Sequence, residues 1–142
     1  MIIRKANKKD TLKILHLLNS DANLTCDNQL NYNQYHVKEH VFGKNFITFI
    51  WEEDKELLGV IIINLFRIGK YAELYNLAVE QKHRRKKIGT KLISFVENYL
   101  KNKKYNLIYL YAEEKNKPMK ELSLNKKYKK GKTMIFFSKM LK

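Results

Sequence analysis

The segment from residue 71 to residue 100 most constrains the fold, because a strand pattern there passes directly into a helix pattern. Residues 72–79 are typical of a strand, residues 83–87 form a very basic turn, and apolar residues from Ile88 to Leu100 recur at helical spacing. Such a junction brings free backbone N–H groups and the positive end of a helix dipole to one point. The segment therefore predicts a seat for a phosphate or pyrophosphate.

The rest of the chain alternates strands and helices. Two apolar segments joined by a charged turn, 46–51 and 57–66, predict an antiparallel hairpin. Asp10 is expected to cap the first helix, and Gly43 to end the second. The order β-α-α-β-β-β-α-β-α-β predicts one α/β domain over residues 1–142 with a mixed sheet. The predicted strands are 2–5, 46–51, 57–66, 71–79, 107–112 and 133–141, and the later helices are 35–42, 88–102 and 119–125.

The net charge of +15 raises the question of a nucleic-acid partner. Only four of the 29 basic residues are arginine, although the planar arginine fork is the better phosphate reader. Lysines are spread from Lys5 to Lys142, as a coding bias toward Lys, Asn and Ile would spread them. A nucleic-acid or ribosome-associated module remains an alternative, but the charge favours a solvated surface with denser patches at 82–87 and 126–132.

Cysteine content and hydropathy predict the compartment. No apolar run is long enough to cross a membrane, and the first residues lack the apolar core of a signal peptide. Cys26 is the only cysteine, so an internal disulfide is excluded and a reducing cytoplasm is expected. Cys26 is interpreted as an ordinary small residue, with a nucleophilic role as the minor alternative.

The segment NLAVEQKHRRKKIGTKLI (residues 76–93) and the order of elements resemble the GNAT superfamily of acyl-CoA-dependent N-acetyltransferases. The hallmark of that family, Arg/Gln-x-x-Gly-x-Gly/Ala, maps onto residues 84–89, with Lys87 in place of the first glycine. The likeness covers nearly the whole chain, including the IIRKA start and the FFSKML ending. It implies a mostly antiparallel central sheet flanked by helices.

The resemblance also implies acetyl-CoA as cosubstrate and coenzyme A as product. The pyrophosphate would lie on the turn amides from Arg85 to Thr90, the pantetheine arm would pair with the strand, and Asn116 would hold that arm. Lys87 fits this role if its φ is negative and its ammonium reaches a phosphate. The residues assigned to the cofactor are Leu77, Ala78, Val79, Arg84, Arg85, Lys86, Lys87, Ile88, Gly89, Thr90 and Asn116.

Acetyl transfer to an amine needs a base for the ammonium and an acid for the departing thiolate. Glu73 stands where members of the family often carry a carboxylate, and the equal alternative is an edge carboxylate paired with a lysine. The tyrosine that usually serves as the acid is replaced by Ser123. Tyr128 or Tyr111 is the expected substitute, with packing as the alternative role of both.

The segment from His36 to His40 fits H-x-x-E-H, a pattern of zinc hydrolases. A surface helix lining the acceptor groove is the favoured interpretation, and no metal is expected. Tyr32, Tyr35 and His36 are then candidate substrate contacts, together with Glu73 and Tyr111.

Three hypotheses follow from the sequence. The first is an active N-acetyltransferase in which a small-molecule or peptide amine attacks the thioester directly. The second is a GNAT-like domain that binds acyl-CoA with weak or no catalysis, and the third is the nucleic-acid or ribosome-associated module. The sequence leaves the acceptor amine and the oligomeric state open, a dimer included.

Overall fold

The computed structural model describes residues 1–21, 24 and 32–141, apart from the side chain of Phe42. Five strands form one sheet in the order β1-β2-β3-β4-β5. Neighbouring strands are antiparallel except β4 and β5, which are parallel. The strands are β1 (Ile2–Lys5), β2 (Phe46–Glu53), β3 (Glu56–Phe66), β4 (Tyr71–Val79) and β5 (Leu107–Leu110).

Helices cover both faces of the sheet. The helices α1 (Thr11–Ser20) and α2 (Gln34–Phe42) enclose one core with β2 and β3, whereas α3 (Ile88–Asn102) encloses the other. The helix α4 (Lys117–Asn125) contributes Met119 and Leu122 to the α3 core. The α3 face of that core follows helical spacing, as the sequence predicts, with buried Ile88, Leu92, Ile93, Val96 and Leu100. The predicted fold class is therefore confirmed.

A β-bulge in β4 decides which side chains reach each face. Ile62 and Ile63 of β3 are consecutive, yet they pair with Asn76 and Leu74, so Tyr75 is an extra residue on β4. Leu74 lies in the α3 core, whereas Ala78 lies in the α1–α2 core. The bulge therefore exchanges the two faces of β4 halfway along the strand.

Turn geometry agrees with the predicted hairpin. Asp54 and Lys55 join β2 and β3 with φ values of 50° and 64°, as a two-residue hairpin turn requires. The helix α2 begins after Asn33, whose side chain accepts hydrogen bonds from two backbone amides, and it ends before Gly43 as predicted.

Two local predictions are wrong. Asp10 precedes α1 but makes no capping bond to it, because its carboxylate binds the Arg4 guanidinium at 2.9 Å and the Asn7 amide at 2.8 Å. This pairing with Arg4 lowers the pKa of Asp10. The predicted strand over 133–141 is not formed: residues 128–141 have no regular secondary structure, and 129–141 are exposed. No described strand lies beyond β5 to pair with them.

Cys26 lies outside the described residues. Among the described helices, none combines the length and the apolar character that a membrane span needs.

Candidate active site

The sheet opens between β4 and β5. The two strands pair from Tyr71 with Leu107 up to Leu74 with Leu110, and no pairing continues beyond that point. Residues 76–79 of β4 still pair with β3 on their other side. Their outer edge therefore faces a gap, where an extended amide-bearing chain has backbone groups to pair with.

The amino end of α3 lies at the far end of this gap. Arg85 and Lys87 both adopt left-handed backbone conformations, with φ values of 64° and 63°. The helix begins at Ile88 without a side-chain cap, and the Lys91 amide donates to the Lys87 carbonyl at 3.0 Å. The amides of the first turn before Lys91 therefore have no intrahelical partner, which is the arrangement that suits an anion.

Lys87 contradicts the expectation of a negative φ at this position. The turn has the left-handed backbone shape that favours glycine, although a lysine stands there. Side chains other than glycine adopt that conformation at a cost of about 1 kcal/mol.

The Arg84 side chain connects the turn to the end of β4 and to Asp21. Its Nε donates to the Val79 carbonyl at 3.1 Å, and its guanidinium lies 3.2 Å from the Asp21 carboxylate. Both contacts direct the side chain toward the end of β4. The sequence analysis assigned Arg84, together with its neighbours, to the cofactor. In the structure the Arg84 side chain binds Val79 and Asp21. The remaining cations of the turn are Arg85, Lys86 and Lys87.

Gly89 and Asn116 border the gap from the helix side. A β-carbon on Gly89 would lie 3.5 Å from Leu77 Cδ2 and 3.6 Å from Leu122 Cδ2, so β4, α3 and α4 converge there. Asn116 caps α4, since its Oδ1 accepts from the Met119 amide at 3.2 Å. This bond uses the oxygen and leaves the Nδ2 amide able to donate elsewhere.

Glu73 lies on β4 just before the gap, between Asn64 of β3 and Tyr109 of β5 in the strand register. The carboxylate is half-buried, and burial raises the pKa of Glu73, while a hydrogen bond from Asn64 opposes that rise. The pKa of Tyr109 is also raised, by burial first and then by the charge of Glu73. A carboxylate with a raised pKa beside a cleft is suited to accept a proton.

The three candidate acids differ in position. The Ser123 hydroxyl donates to the Met119 carbonyl within its own helix, at 2.7 Å. Tyr128 packs against the α3 core, and burial, followed by the charge of Glu97, raises its pKa well above the ordinary range. Tyr111 follows β5 where the strands separate, with 64% of its surface exposed. Of the three side chains, that of Tyr111 is the most exposed.

The candidate acceptor residues are only partly brought together. The Tyr32 hydroxyl accepts from Asn76 Nδ2 at 2.9 Å, so Tyr32 reaches the bulged part of β4. The Tyr32 ring also contacts His36 edge-on, with centroids 6.4 Å apart. Tyr35 is exposed, and the Lys38 ammonium lies 5.9 Å from its ring centroid.

Sequence reasoning missed the part played by His40. Its ring packs against Tyr75 and Phe46, with centroids 4.6 and 5.0 Å away. Burial, followed by the charge of His36, lowers the pKa of His40 to about 4. His36 Nδ1 instead accepts from the Asn33 amide at 3.3 Å, at the start of α2. In the part of the chain that the structure describes, no three His, Cys, Asp or Glu side chains are grouped as metal ligands would be.

The described residues also line a cavity of about 390 Å³ on the α1 side of the sheet, which extends to Glu80 and His83 beyond the end of β4. It lies between α1 and the β2–β3 turn, and its lining includes His16, Lys55 and Lys82. The gap itself lies within the sheet, between β4 and β5.

Comparison with known proteins identifies the family. The model of the acetyltransferase (GNAT) family matches residues 12–123. No curated protein matches the chain. Solved structures share the fold at low identity. One is an aminoglycoside acetyltransferase from an uncultured soil metagenomic sample, in complex with sisomicin: it is 19% identical, with a TM-score of 0.78 over 99% of this chain and 96% of that one.

Two further structures illustrate the range of acetyltransferases with this fold. The PaiA N-acetyltransferase of Thermoplasma acidophilum, in complex with coenzyme A, is 18% identical, with a TM-score of 0.75 over 88% of this chain and 87% of its own. The ribosomal-protein-S18-alanine N-acetyltransferase of Escherichia coli is 14% identical, with a TM-score of 0.73 over 87% and 74%.

Proposed function

Because the chain belongs to the GNAT acetyltransferase family, we propose that it transfers an acetyl group from acetyl-CoA to a primary amine. The observation that carries the proposal is the opening of the sheet beyond Leu74 and Leu110, beside the uncapped amino end of α3. An open strand edge suits the amides of the pantetheine arm, and an uncapped helix start suits its pyrophosphate.

The residues around the gap fit coenzyme A chemically. The backbone of Leu77 and Ala78 would pair with the pantetheine arm, while the Val79 carbonyl already accepts from Arg84. The amides of residues 85–90 would hold the pyrophosphate, with Arg85, Lys86 and Lys87 supplying positive charge. Asn116 Nδ2 would donate to the arm from the opposite side.

Two side chains of the protein would accept and donate the protons of the reaction. When bound, acetyl-CoA supplies the acetyl group as a thioester. Glu73 would take the proton of the incoming ammonium, directly or through a water molecule, because an ammonium has no lone pair for attack. We assign proton donation at the gap to Tyr111 in preference to Ser123, whose hydroxyl donates within its own helix, and to Tyr128, whose ring packs against the α3 core.

One observation favours a second candidate, a domain that binds acyl-CoA without efficient catalysis. The Ser123 hydroxyl, at the position of the family's usual acid, donates a hydrogen bond to the Met119 carbonyl. If Tyr111 does not replace that acid, binding would persist while turnover stays low.

Acetyl-CoA binding tests the proposal. A ligand that binds only the folded state raises the free energy of unfolding, by about 2.7 kcal/mol at a hundred times its Kd. We expect acetyl-CoA and coenzyme A to raise the melting temperature, and calorimetric affinity to fall with added salt because phosphates meet cations. Release of free thiol, followed across a panel of amines, then separates the active enzyme from the binding-only domain. Absence of both heat and thermal shift at saturating acetyl-CoA would contradict the proposal.

A matched pair of variants places the binding at the gap. Gly89→Ala adds one carbon at ordinary contact distance from Leu77 and Leu122, so folding and affinity should change little. Gly89→Val adds two more carbons at the convergence of β4, α3 and α4, and affinity should fall at least tenfold. Equal affinities for acetyl-CoA in a folded Gly89→Val protein would place the cofactor elsewhere.

A further inference from the structure

A row of aromatic side chains crosses three strands beside the gap. We call Phe66, Tyr71, Tyr109 and Tyr111 the aromatic face. Phe66 and Tyr71 stack, with centroids 4.5 Å apart and planes at 12°, and Tyr109 lies 6.3 Å from Tyr71. Tyr111 meets Tyr109 edge-on at 5.6 Å. Tyr71 is 37% exposed and Tyr111 64% exposed, so a ligand can reach the rings.

Glu73 belongs to the same surface. It is two residues from Tyr71 on β4, so both side chains point to one side of the sheet, and it is the register partner of Tyr109. The influence of the Glu73 charge on the pKa of Tyr109 agrees with this proximity. The aromatic face therefore holds one half-buried carboxylate next to its rings.

This surface and the proposed cofactor residues lie on opposite faces of the sheet. Ala72 and Leu74 of β4 pack into the core beneath α3, so Tyr71 and Glu73, which alternate with them, face the other way. A cofactor on the α3 side and an acceptor on the aromatic face would meet at the gap from opposite sides.

The charges nearby argue against a polycationic acceptor. Glu113 and Glu114, which follow β5, pair with Lys115 and Lys120 at 3.6 and 3.2 Å. The whole chain carries a net charge of +15, which repels polycations at moderate ionic strength. Among the described residues, Glu73 is the carboxylate that the strand register places beside Tyr109, and it can pair with one ammonium group.

We propose that the aromatic face binds the acceptor as a single primary ammonium carried on a flat apolar body, such as an aromatic ring on a short chain. The inference rests on the proposed function and names its substrate class. The body stacks on Tyr71 and Tyr109, and the ammonium lies near Glu73, where the rings also attract a cation. Aminoglycosides and polyamines, which carry several ammonium groups, are poorly matched to one carboxylate.

Calorimetry with 2-phenylethylamine and spermidine, each in the presence of saturating coenzyme A, tests the inference. We expect 2-phenylethylamine to bind at least tenfold tighter than spermidine. Tyr71→Leu should weaken 2-phenylethylamine about fivefold, the loss expected for one cation–π or stacking contact. Tyr71→Phe keeps the ring and should retain the affinity. Phe95→Leu, a part-exposed ring on α3 that packs against Phe49, is the control and should leave binding unchanged.

Tighter binding of spermidine, or 2-phenylethylamine binding that a folded Tyr71→Leu protein leaves unchanged, would overturn the inference. Titrations repeated without coenzyme A separate this inference from the proposed function. Amine binding that depends on Tyr71 in a protein without affinity for acetyl-CoA would support the aromatic face and contradict the transferase. Acetyl-CoA binding without affinity for 2-phenylethylamine would do the reverse.

Discussion

Lys87 has a left-handed backbone, with φ of 63°, whereas Gly89, two residues later, lies in the ordinary helical conformation of α3. The residue with the greater backbone freedom therefore stands where that freedom is not needed. The same pattern holds for the whole described part of the chain: no described glycine has a positive φ, and the residues that do have one are not glycines. The other described residues with positive φ are Asp54, Lys55, Lys70, Arg85, Lys104 and Lys127.

Replacing Lys87 with glycine should stabilise the protein. Glycine removes the clash of a β-carbon in the left-handed region, worth about 1–2 kcal/mol, and loses part of that gain to the greater flexibility of the unfolded chain. We expect a net rise of about 0.5–1 kcal/mol in the free energy of unfolding, measured by denaturant titration. Lys101→Gly, in the last turn of α3, replaces a lysine of ordinary helical conformation and should lower the free energy of unfolding, by at most about 1 kcal/mol.

The effect of Lys87→Gly on acetyl-CoA separates two roles of the side chain. If the ammonium contacts a phosphate, affinity should fall tenfold or more, about 1.4 kcal/mol, despite the gain in stability. Unchanged or improved affinity would mean that lysine merely occupies a glycine position.

Strong local periodicity explains which elements could be predicted. The bounds of β4 and α3 agree with the prediction because a strand pattern and a helical stripe of apolar residues meet at the basic turn. The prediction of a final strand over 133–141 was wrong. A run such as MIFF has the composition of a strand, but a strand also needs a neighbouring strand to pair with, and sequence alone does not show whether one is present.

The details of the site depend on long-range geometry. The extra residue at Tyr75 follows from the pairing of β3 with β4, and no local signal marks it. The aromatic face joins Phe66, Tyr71 and Tyr109 from three strands, so its rings are neighbours only once the register is known. The positive φ of Lys87 likewise has no marker in the sequence, because lysine does not favour the left-handed conformation.

Glu73→Gln tests the proposed base. The amide keeps the shape of the carboxylate but cannot take a proton, so turnover should fall by about 10²-fold or more while acetyl-CoA affinity stays nearly constant. The deficit should shrink at high pH, where the free amine predominates. Steady-state rates across a pH series measure both effects, and a constant deficit at all pH values would argue against Glu73 as the base.

Glu73→Gln should lower turnover, but it should not lower the thermal stability of the folded protein at neutral pH. Burial raises the pKa of Glu73 in the folded state, so the folded protein holds this proton more tightly than the unfolded chain. Wild-type stability from this group is present below the ordinary carboxyl pKa and is lost as pH rises through the raised one. Glu73→Gln should therefore melt at an equal or higher temperature than wild type at neutral pH, and this difference should shrink in acid, where the wild-type carboxyl is also neutral.

His40 should make the protein sensitive to acid. Its pKa is lowered to about 4, so the unfolded chain binds the proton first, and stability from neutral His40 is lost as pH falls from about 6.5 to 4. The loss is on the order of 3 kcal/mol if the buried ring stays in place. His40→Phe keeps the ring contacts with Tyr75 and Phe46 and should flatten this part of the pH–stability curve. His16→Gln, at an exposed site, should leave the curve unchanged.

The carboxyl-terminal segment should drive self-association. Ile135 and Phe137 are 79% and 86% exposed, and the outer edge of β5 has no described strand beside it. Exposed apolar side chains and an open sheet edge each favour pairing between copies. Sedimentation should show association that rises with protein concentration and that a double variant, Ile135→Asp with Phe137→Asp, abolishes. Leu12→Asp, which removes an isolated exposed leucine on α1, should leave it intact. A wild-type protein that stays monomeric at its highest soluble concentration would contradict the prediction.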